Sequence, residues 1–520
     1  MPVHTASLTH PAGPARLDRL SHPASPRTTM RLLTATVGAL LLAAGFPPLA
    51  WWWAVPLGIA ALVASVHGAR FRTTALVGAF SGALFAIAHL GWLRSVGWDA
   101  LAAMTVLLAL WWALTMLGVR LVLSVVGWPL LVPAVWVLQE WLLAAWPFGG
   151  FPWSRLGFAS LDSPMDVAIP VVGVYGMTFL LVAIGAALAD VFLSRRLTRA
   201  SIAATLMAVG ITVIGYAVPA DEGGLGPPLR VAVVQGGAQT GLGEDQARAV
   251  LAAHAAQTRA LAARQPQPPA LVVWPESSTD IDPFTDPQTR AQIEEAVSRI
   301  SAPVLVGAVT ADVATPNRVR NQAIAWLPGT GPSVAYTKRH LVPFGEYLPS
   351  RDLLTRLSSR FELVPRDLVA GDDSSVLRIG GFSVGVLICY EVAFDEAIRA
   401  AIAQGATILA VPANNATYAG TAQPEQQLAI ERFRALETDR PVLVASTTGI
   451  TAVIDHQGSV VDQIDDGSTG VVEAIVSPRS SRTPATVWGG AVGPTLALVG
   501  AAGLAWGLRS ATRRRSSAAR

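Results

Sequence analysis

Three segments set a carboxylate, an amine and a thiol where an apolar run gives way to a loop. The first is Val272-Val-Trp-Pro-Glu276-Ser-Ser278. Its proline forces an extended exit from the run and aims the Glu276 side chain off a sheet edge. The second is Tyr336-Thr-Lys338-Arg-His-Leu-Val-Pro-Phe-Gly-Glu346, and the third is Val386-Leu-Ile-Cys389-Tyr-Glu391. A thiol with an ordinary pKa of about 8.5 is mostly protonated at neutral pH, so a nucleophilic cysteine needs a base or a cationic neighbour. Glu276 can take that proton and return it to a leaving group. Lys338 favours the thiolate and can stabilise the oxyanion of a tetrahedral intermediate, alongside the backbone N–H that follows Cys389. This is the chemistry of acyl transfer, and it needs no histidine. Each segment alone is a weak signal; their shared setting at the ends of apolar runs is not.

Cys389 is the one cysteine in 520 residues, so the chain forms no internal disulfide. Outside the cytoplasm a lone thiol is an oxidation liability unless it is used.

The elements that carry these segments lie between about 229 and 480. Strands are predicted at Leu229–Gln235, Ala270–Trp274, Pro303–Val309, Gly385–Tyr390, Thr407–Val411 and Val442–Ser446. Amphipathic helices are predicted at about 244–264, 286–300, 394–404 and 424–437. The alternation predicts an α/β domain with its own core, with sites at the carboxyl ends of its strands. A Gly/Pro-rich linker, Glu222-Gly-Gly-Leu-Gly-Pro-Pro228, introduces it.

The remainder is apolar. Hydrophobic residues make up 52% of the chain and charged residues 14%, with a mean hydropathy of +0.46. Soluble domains carry about a quarter charged residues. The net charge of +3 includes no basic stripe on a binding fold, which argues against a nucleic-acid partner. Apolar runs near 31–49, 52–68, 74–93, 100–118, 121–145, 168–192 and 201–218 predict seven spanning helices, and a last run at 487–508 predicts an eighth. Residues 1–30 read as a disordered tail, and 509–520 as a basic one. Arginines at 16, 19, 27, 31, 70, 72, 120, 195, 196 and 199 fall on alternate loops, and Arg513-Arg514-Arg515 follows the last run. The charge rule at both ends puts both termini in the cytoplasm and the α/β domain outside it. Between the fifth and sixth runs, Trp146-Pro-Phe-Gly-Gly-Phe-Pro-Trp153 cannot be helical; it suits either a simple interfacial loop or a lipid-binding one.

The order Glu276, Lys338, Cys389 resembles the nitrilase superfamily, whose α/β/β/α sandwich carries a Glu-Lys-Cys triad. The whole span from about 31 to 508 resembles the apolipoprotein N-acyltransferases. The residues that carry this are Gly149-Gly-Phe-Pro-Trp153, Val234-Gln-Gly236, Trp274-Pro-Glu276, Lys338 with His340 to Glu346, Cys389-Tyr-Glu391, Arg434-Ala-Leu-Glu437 with Arg440-Pro441, and Thr448 to Asp455. The resemblance implies an eight-helix membrane part and an extracytoplasmic nitrilase-like domain. It makes Glu276 the general base, Lys338 the stabiliser and Cys389 the nucleophile, with Glu346, Glu391 and Tyr390 supporting the site. A carboxylate near Lys338 would fix its charge and position.

The implied reaction is ping-pong. Cys389 takes an acyl chain from a membrane phospholipid as a thioester and passes it to the α-amino group of the diacylglyceryl-modified N-terminal cysteine of a lipoprotein. The expected enzyme is a monomer of the bacterial cell membrane that needs no metal or organic cofactor. Loops at Phe344–Pro349 and Arg356–Pro365 are candidate lids that keep water from the thioester. The sequence departs from the family's pattern in two places. Asn414-Asn-Ala-Thr-Tyr418-Ala-Gly420 replaces an Asn-Asp-x-Trp-Phe-Gly loop, and Gly241-Leu-Gly243 stands where a tryptophan is usual. Two other readings remain. A membrane-anchored amidase would need only one anchoring helix. A transporter or scaffold should show intramembrane charges, and Glu140 and Asp190 are the main candidates.

Overall fold

The structure, a computed structural model, describes residues 26–217, 227–237, 243–264, 267–315 and 317–518. Most of the expected N-terminal tail, most of the Gly/Pro linker and Gly241 lie outside these residues.

Seven helices come first: α1 (Pro26–Ala44), α2 (Ala54–Val66), α3 (Phe71–His89), α4 (Trp98–Val122), α5 (Trp128–Leu143), α6 (Ile169–Ser194) and α7 (Arg199–Ala217). The last helix, α13 (Pro484–Ala518), returns to pack against α4, α5 and α6. Of these, α3, α4, α6, α7 and α13 are long and apolar enough to cross a membrane. Of the runs expected to span, those at 52–68 and 121–145 form only the 13 and 16 helical residues of α2 and α5. At about 1.5 Å per residue they fall short of a hydrocarbon layer roughly 30 Å thick. Two other boundaries move: α1 begins at Pro26, and α13 continues through the stretch read as a basic tail. Helices α3 and α4 approach closely because Gly78 and Gly82 face α4. A Cβ at either would lie 2.6 Å from the Trp112 carbonyl oxygen or 2.5 Å from that of Leu108.

The middle of the chain forms two six-stranded sheets. The first has the order β12-β1-β2-β3-β4-β5, from β1 (Leu229–Gln235), β2 (Leu271–Val273), β3 (Val304–Ala311), β4 (Val319–Leu327), β5 (Gly331–Thr337) and β12 (Gly470–Val476). The second has the order β11-β10-β9-β8-β7-β6, from β6 (Val376–Ile379), β7 (Phe382–Val386), β8 (Ile408–Ala413), β9 (Val442–Ser446), β10 (Thr451–Ile454) and β11 (Val460–Ile464). Strands β1, β2 and β3 are parallel, as are β7, β8 and β9; antiparallel strands flank both sets.

The sheets pack face to face through Val231, Val233, Val273 and Leu305 on one side and Val384, Val386, Ala410 and Leu443 on the other. Outside the first sheet lie α8 (Glu244–Arg264) and α9 (Pro287–Ile300), and outside the second lie α11 (Asp395–Ala403) and α12 (Gln423–Thr438). The result is an α/β/β/α sandwich; a short α10 (Arg351–Leu357) lies beyond β5. Helix α9 begins where Asp286 accepts a hydrogen bond from the Thr289 N–H (2.6 Å) and Pro287 occupies the first turn. Residues of α11 and α12 such as Ile398, Ile402, Ile430 and Phe433 bury into the same core as the membrane helices. The sandwich therefore sits directly on the bundle.

Candidate active site

The topology explains why the three segments meet. Strand β5 is antiparallel to β4, which is antiparallel to β3, so β5 runs parallel to β2 and β3. The carboxyl ends of β2 and β5 thus share one edge of the first sheet, facing the ends of β7 and β8 of the second. Glu276 follows β2, Lys338 follows β5, Cys389 follows β7 and Asn414 follows β8. Gly307 on β3 makes room for the first of these loops, because a Cβ there would lie 2.0 Å from the Pro275 carbonyl oxygen.

Lys338, 1% exposed, donates to Glu276 Oε1 at 2.8 Å and to Glu346 Oε1 at 2.7 Å. Its backbone is held on both sides, donating to the Asn321 carbonyl (2.9 Å) and accepting from the Gly371 N–H (2.9 Å). Asn321 Nδ2 donates to Glu276 Oε1 at 2.6 Å, and the Asn414 N–H donates to Glu276 Oε2 at 2.9 Å. The Val342 N–H holds the second oxygen of Glu346 at 2.7 Å. Both carboxylates are thereby oriented at both oxygens.

Cys389 sits in the left-handed region with φ 54°. For a residue with a Cβ such a conformation costs about 1–3 kcal/mol and persists only where the surroundings impose it. They do so through Glu391. One of its oxygens accepts from the Ile388 N–H (2.8 Å), the other from Tyr336 Oη (2.8 Å) and the N–H groups of Arg339 (2.8 Å) and His340 (3.0 Å). Glu391 is fully buried and does not touch Lys338. It clips the backbone after the lysine to the backbone before the cysteine. Tyr390, between the two, points the other way: its hydroxyl donates to the Gly150 carbonyl (3.2 Å) and its ring lies against Trp153, Phe151 and Phe394. In three successive residues the chain exposes a thiol to the site, pegs the turn to the membrane part and locks the loop behind it.

The electrostatics favour a resting thiol. Burial pushes the Cys389 pKa well up, the Glu276 carboxylate pushes it further, and Lys338 pulls against them. Burial acts to lower the pKa of Lys338, but Glu276 and Glu346 outweigh it and hold the ammonium charged. Glu346 is raised by burial despite the pull of Lys338. One ammonium thus answers two carboxylates, leaving room for one more proton. Tyr418 of the departing loop also faces this cluster, and its ring meets Trp92 edge-on at 5.2 Å.

The structure brings Glu276, Lys338, Cys389 and Glu346 into one cluster, with Glu391 and Tyr390 behind it. Sequence reasoning missed Asn321, Tyr336 and the Asn414 N–H. Asn414 lay in a loop singled out only for its difference, and Asn321 lies on β4, a strand the sequence did not reveal. The Trp146–Trp153 loop meets the domain directly: the Trp153 and Trp92 indole N–H groups both donate to Gln426 Oε1 at 3.0 Å, while Gln426 Nε2 donates to the His89 carbonyl at 3.0 Å. Of the intramembrane acids, Glu140 accepts from the Leu156 N–H (2.9 Å) and Thr178 (2.8 Å), and Asp190 accepts from Thr198. Both hold local turns rather than a path. Among the described residues no cluster of His, Cys, Asp and Glu could hold a metal ion.

Known proteins resemble this chain along both of its parts. The apolipoprotein N-acyltransferase N-terminal domain family matches residues 38–187, and the carbon-nitrogen hydrolase family matches residues 230–483. An apolipoprotein N-acyltransferase of Mycolicibacterium smegmatis is 35% identical over 505 residues, covering 91% of this chain and 84% of that protein. One of Ralstonia nicotianae is 32% identical over 490 residues, covering 87% and 88%. A Saccharomyces cerevisiae member of branch 10 of the nitrilase superfamily, 18% identical, covers 51% of this chain and 95% of its own with a TM-score of 0.38. With such identity over most of both proteins, and with five helices fit to cross a bilayer, the chain is a membrane acyltransferase and belongs to the apolipoprotein N-acyltransferase family.

Proposed function

We propose that this chain moves an acyl chain from a membrane phospholipid to the α-amino group of the N-terminal S-diacylglyceryl-cysteine of lipoproteins, by way of a thioester on Cys389. Glu276 takes the thiol proton as sulfur attacks the ester carbonyl carbon. Lys338 and the Tyr390 N–H receive the developing oxyanion. The intermediate collapses by breaking the bond to the glycerol oxygen, which leaves as lysophospholipid with the proton from Glu276. In the second half the lipoprotein amine attacks the thioester carbonyl. Its surplus proton passes through Glu276 to the departing sulfur, restoring the thiol. The reaction is ping-pong, and each half begins and ends with the same protonation state.

The observation that carries this reading is the Lys338 ammonium shared between Glu276 and Glu346 beneath a cysteine held in a left-handed turn. A buried thiol with a raised pKa is a poor free nucleophile, so a base that acts only during attack is what the site supplies. The setting also favours lipid substrates. Pulling an acyl chain out of a bilayer costs about 0.8 kcal/mol per methylene, so a site seated on the bundle avoids that loss. In this reading the enzyme works as a monomer in the bacterial cell membrane, with the sandwich on the extracytoplasmic side and the loops at Phe344–Pro349 and Arg356–Pro365 as lids. Those loops already reach the bundle: Phe344 meets Phe148 edge-on at 5.3 Å, and Arg360 pairs with Asp99 at 2.8 Å.

The test is to incubate the purified protein with phospholipid labelled in its acyl chains. Wild type should form a hydroxylamine-sensitive adduct and pass the label to a diacylated lipopeptide; Cys389→Ala should do neither. An unmodified lipopeptide N-terminus with wild type would sink the assignment.

A further inference from the structure

We propose that the cavity between the Phe148-Gly149-Gly150 turn and the Arg339-His340 loop binds the phosphate group of a glycerophospholipid. The cavity measures about 450 Å³, within the usual range for small-ligand sites, and it is distinct from the space around the thiol. Arg318 and Arg339 line it, and among the described residues neither guanidinium is hydrogen-bonded to a carboxylate. Arg318 is exposed. Arg339 spends one Nη2 hydrogen on the Asp372 carbonyl (2.6 Å), while its Nε is buried with no partner. Two guanidiniums on one cavity wall, neither bonded to a carboxylate, suit a phosphate, whose oxygens match the planar fork.

One carboxylate shares the cavity and feels the Arg318 charge, but its hydrogen bonds go elsewhere. Asp367 also lines the cavity, but Arg351 (3.1 Å from its Nε) and the Leu348 N–H (3.0 Å) already hold it. His340 adds a third nitrogen-bearing wall; its Nε2 lies 3.3 Å from Glu396 and its ring stacks on Phe394 at 4.2 Å. The location identifies the anion's source. One wall is the aromatic turn of the membrane part, and Tyr347 closes it by donating to the Phe148 carbonyl at 3.2 Å. Two further walls, Gly150 and Phe394, are the groups against which Tyr390 packs, one residue from Cys389. A headgroup held here leaves its acyl esters beside the thiol. The inference rests on the phospholipid-donor reading above and extends it to the group that is recognised.

Binding is measured on the full chain in phosphate-free maltoside micelles, with Cys389→Ala in every sample so that no turnover intervenes. The probes are dihexanoyl phosphatidylglycerol and inorganic phosphate. Arg339→Gln is expected to weaken the lipid's Kd by about tenfold or more and Arg318→Gln by a few fold, with added salt weakening both. If Arg339→Gln fails to fold, the exposed Arg318→Gln decides. Unchanged lipid affinity in a folded double variant overturns the proposal. Inorganic phosphate binding as tightly as the lipid keeps an anion site but overturns the headgroup assignment. Arginine-dependent lipid binding in a protein whose wild type forms no thioester would sink the acyl-transfer reading and leave the cavity's role standing.

Discussion

Two clusters of buried charge lie within a few residues of each other along the chain, and they are built on opposite principles. Around Cys389, one ammonium is shared by two carboxylates, and its charge reaches the thiol. On the bundle side of the same turn, Asp395 is gripped by Arg155 (2.7 and 3.0 Å) and Arg434 (2.7 Å), and Arg434 also pairs with Glu437 at 2.5 Å. The second cluster balances two cations against two anions. Its guanidiniums spend further hydrogens on the Ala393 and Val392 carbonyls and stack near the Phe158 ring. Burial acts to raise the pKa of Asp395, yet Arg155 and Arg434 overwhelm it and hold it well below the usual carboxylate range. In the first cluster burial wins, and Glu346 and Cys389 both move up. A fully answered set of charges fixes geometry; an under-answered one holds a mobile proton.

The sharpest way to break this contrast is Glu276→Gln. Acyl transfer should fall about a thousandfold through loss of the base. Burial still raises the Cys389 pKa, but the nearby negative charge is gone, so alkylation by iodoacetamide should titrate at lower pH than in wild type. A titration that stays put would mean that Glu276 does not act on the thiol. Asp395→Ala removes the anion from the balanced cluster and leaves two guanidiniums facing each other. Unfolding stability should drop by about 3–5 kcal/mol, read by chemical denaturation, with thioester formation per folded molecule little changed. Tyr390→Phe keeps the rings and deletes the bond to Gly150. A loss of about 1 kcal/mol is expected, with no shift in the alkylation profile.

The smallest effect concerns Glu431 on α12, which accepts a hydrogen bond from the Gln427 amide at 3.0 Å. Burial raises its pKa from 4.5 to about 8. The folded protein then binds more protons than the unfolded chain between those values, so this group's contribution to stability is full below pH 4.5 and lost as pH rises through 8. Glu431→Gln should flatten the fall in melting temperature over that interval. An unchanged slope would show that the group ionises freely.

What the sequence revealed follows from which residues carry their own signature. Strands β1 and β9 were read with the bounds they have, because parallel strands buried on both faces appear as unbroken apolar runs. Strand β4 was not: Arg320, Asn321 and Gln322 interrupt it, and β11 shows mostly exposed residues. The loss of β4 hid Asn321, and no residue type announces a backbone donor such as the Asn414 N–H. Glu276, Lys338 and Cys389 were legible because each follows a strand that was itself legible or an obvious loop motif. Glu391 could be found but not understood, since most of its partners are backbone groups, two of them in a loop some fifty residues earlier in the chain. The short α2 and α5 escaped because apolar loops extend their hydropathy beyond their helical length.

The packing of α13 has a consequence for how the molecule is made. This helix covers α5 and α6, yet it leaves the ribosome only after the entire sandwich has been synthesised. At the usual pace of about 5–20 residues per second, the bundle waits on the order of tens of seconds with a seam open to lipid. The small residues of that seam, such as Gly500 against the Ala134 carbonyl, are therefore an empty berth during translation. Any defect that stalls the sandwich would be felt in the membrane first, as an unsealed set of helices.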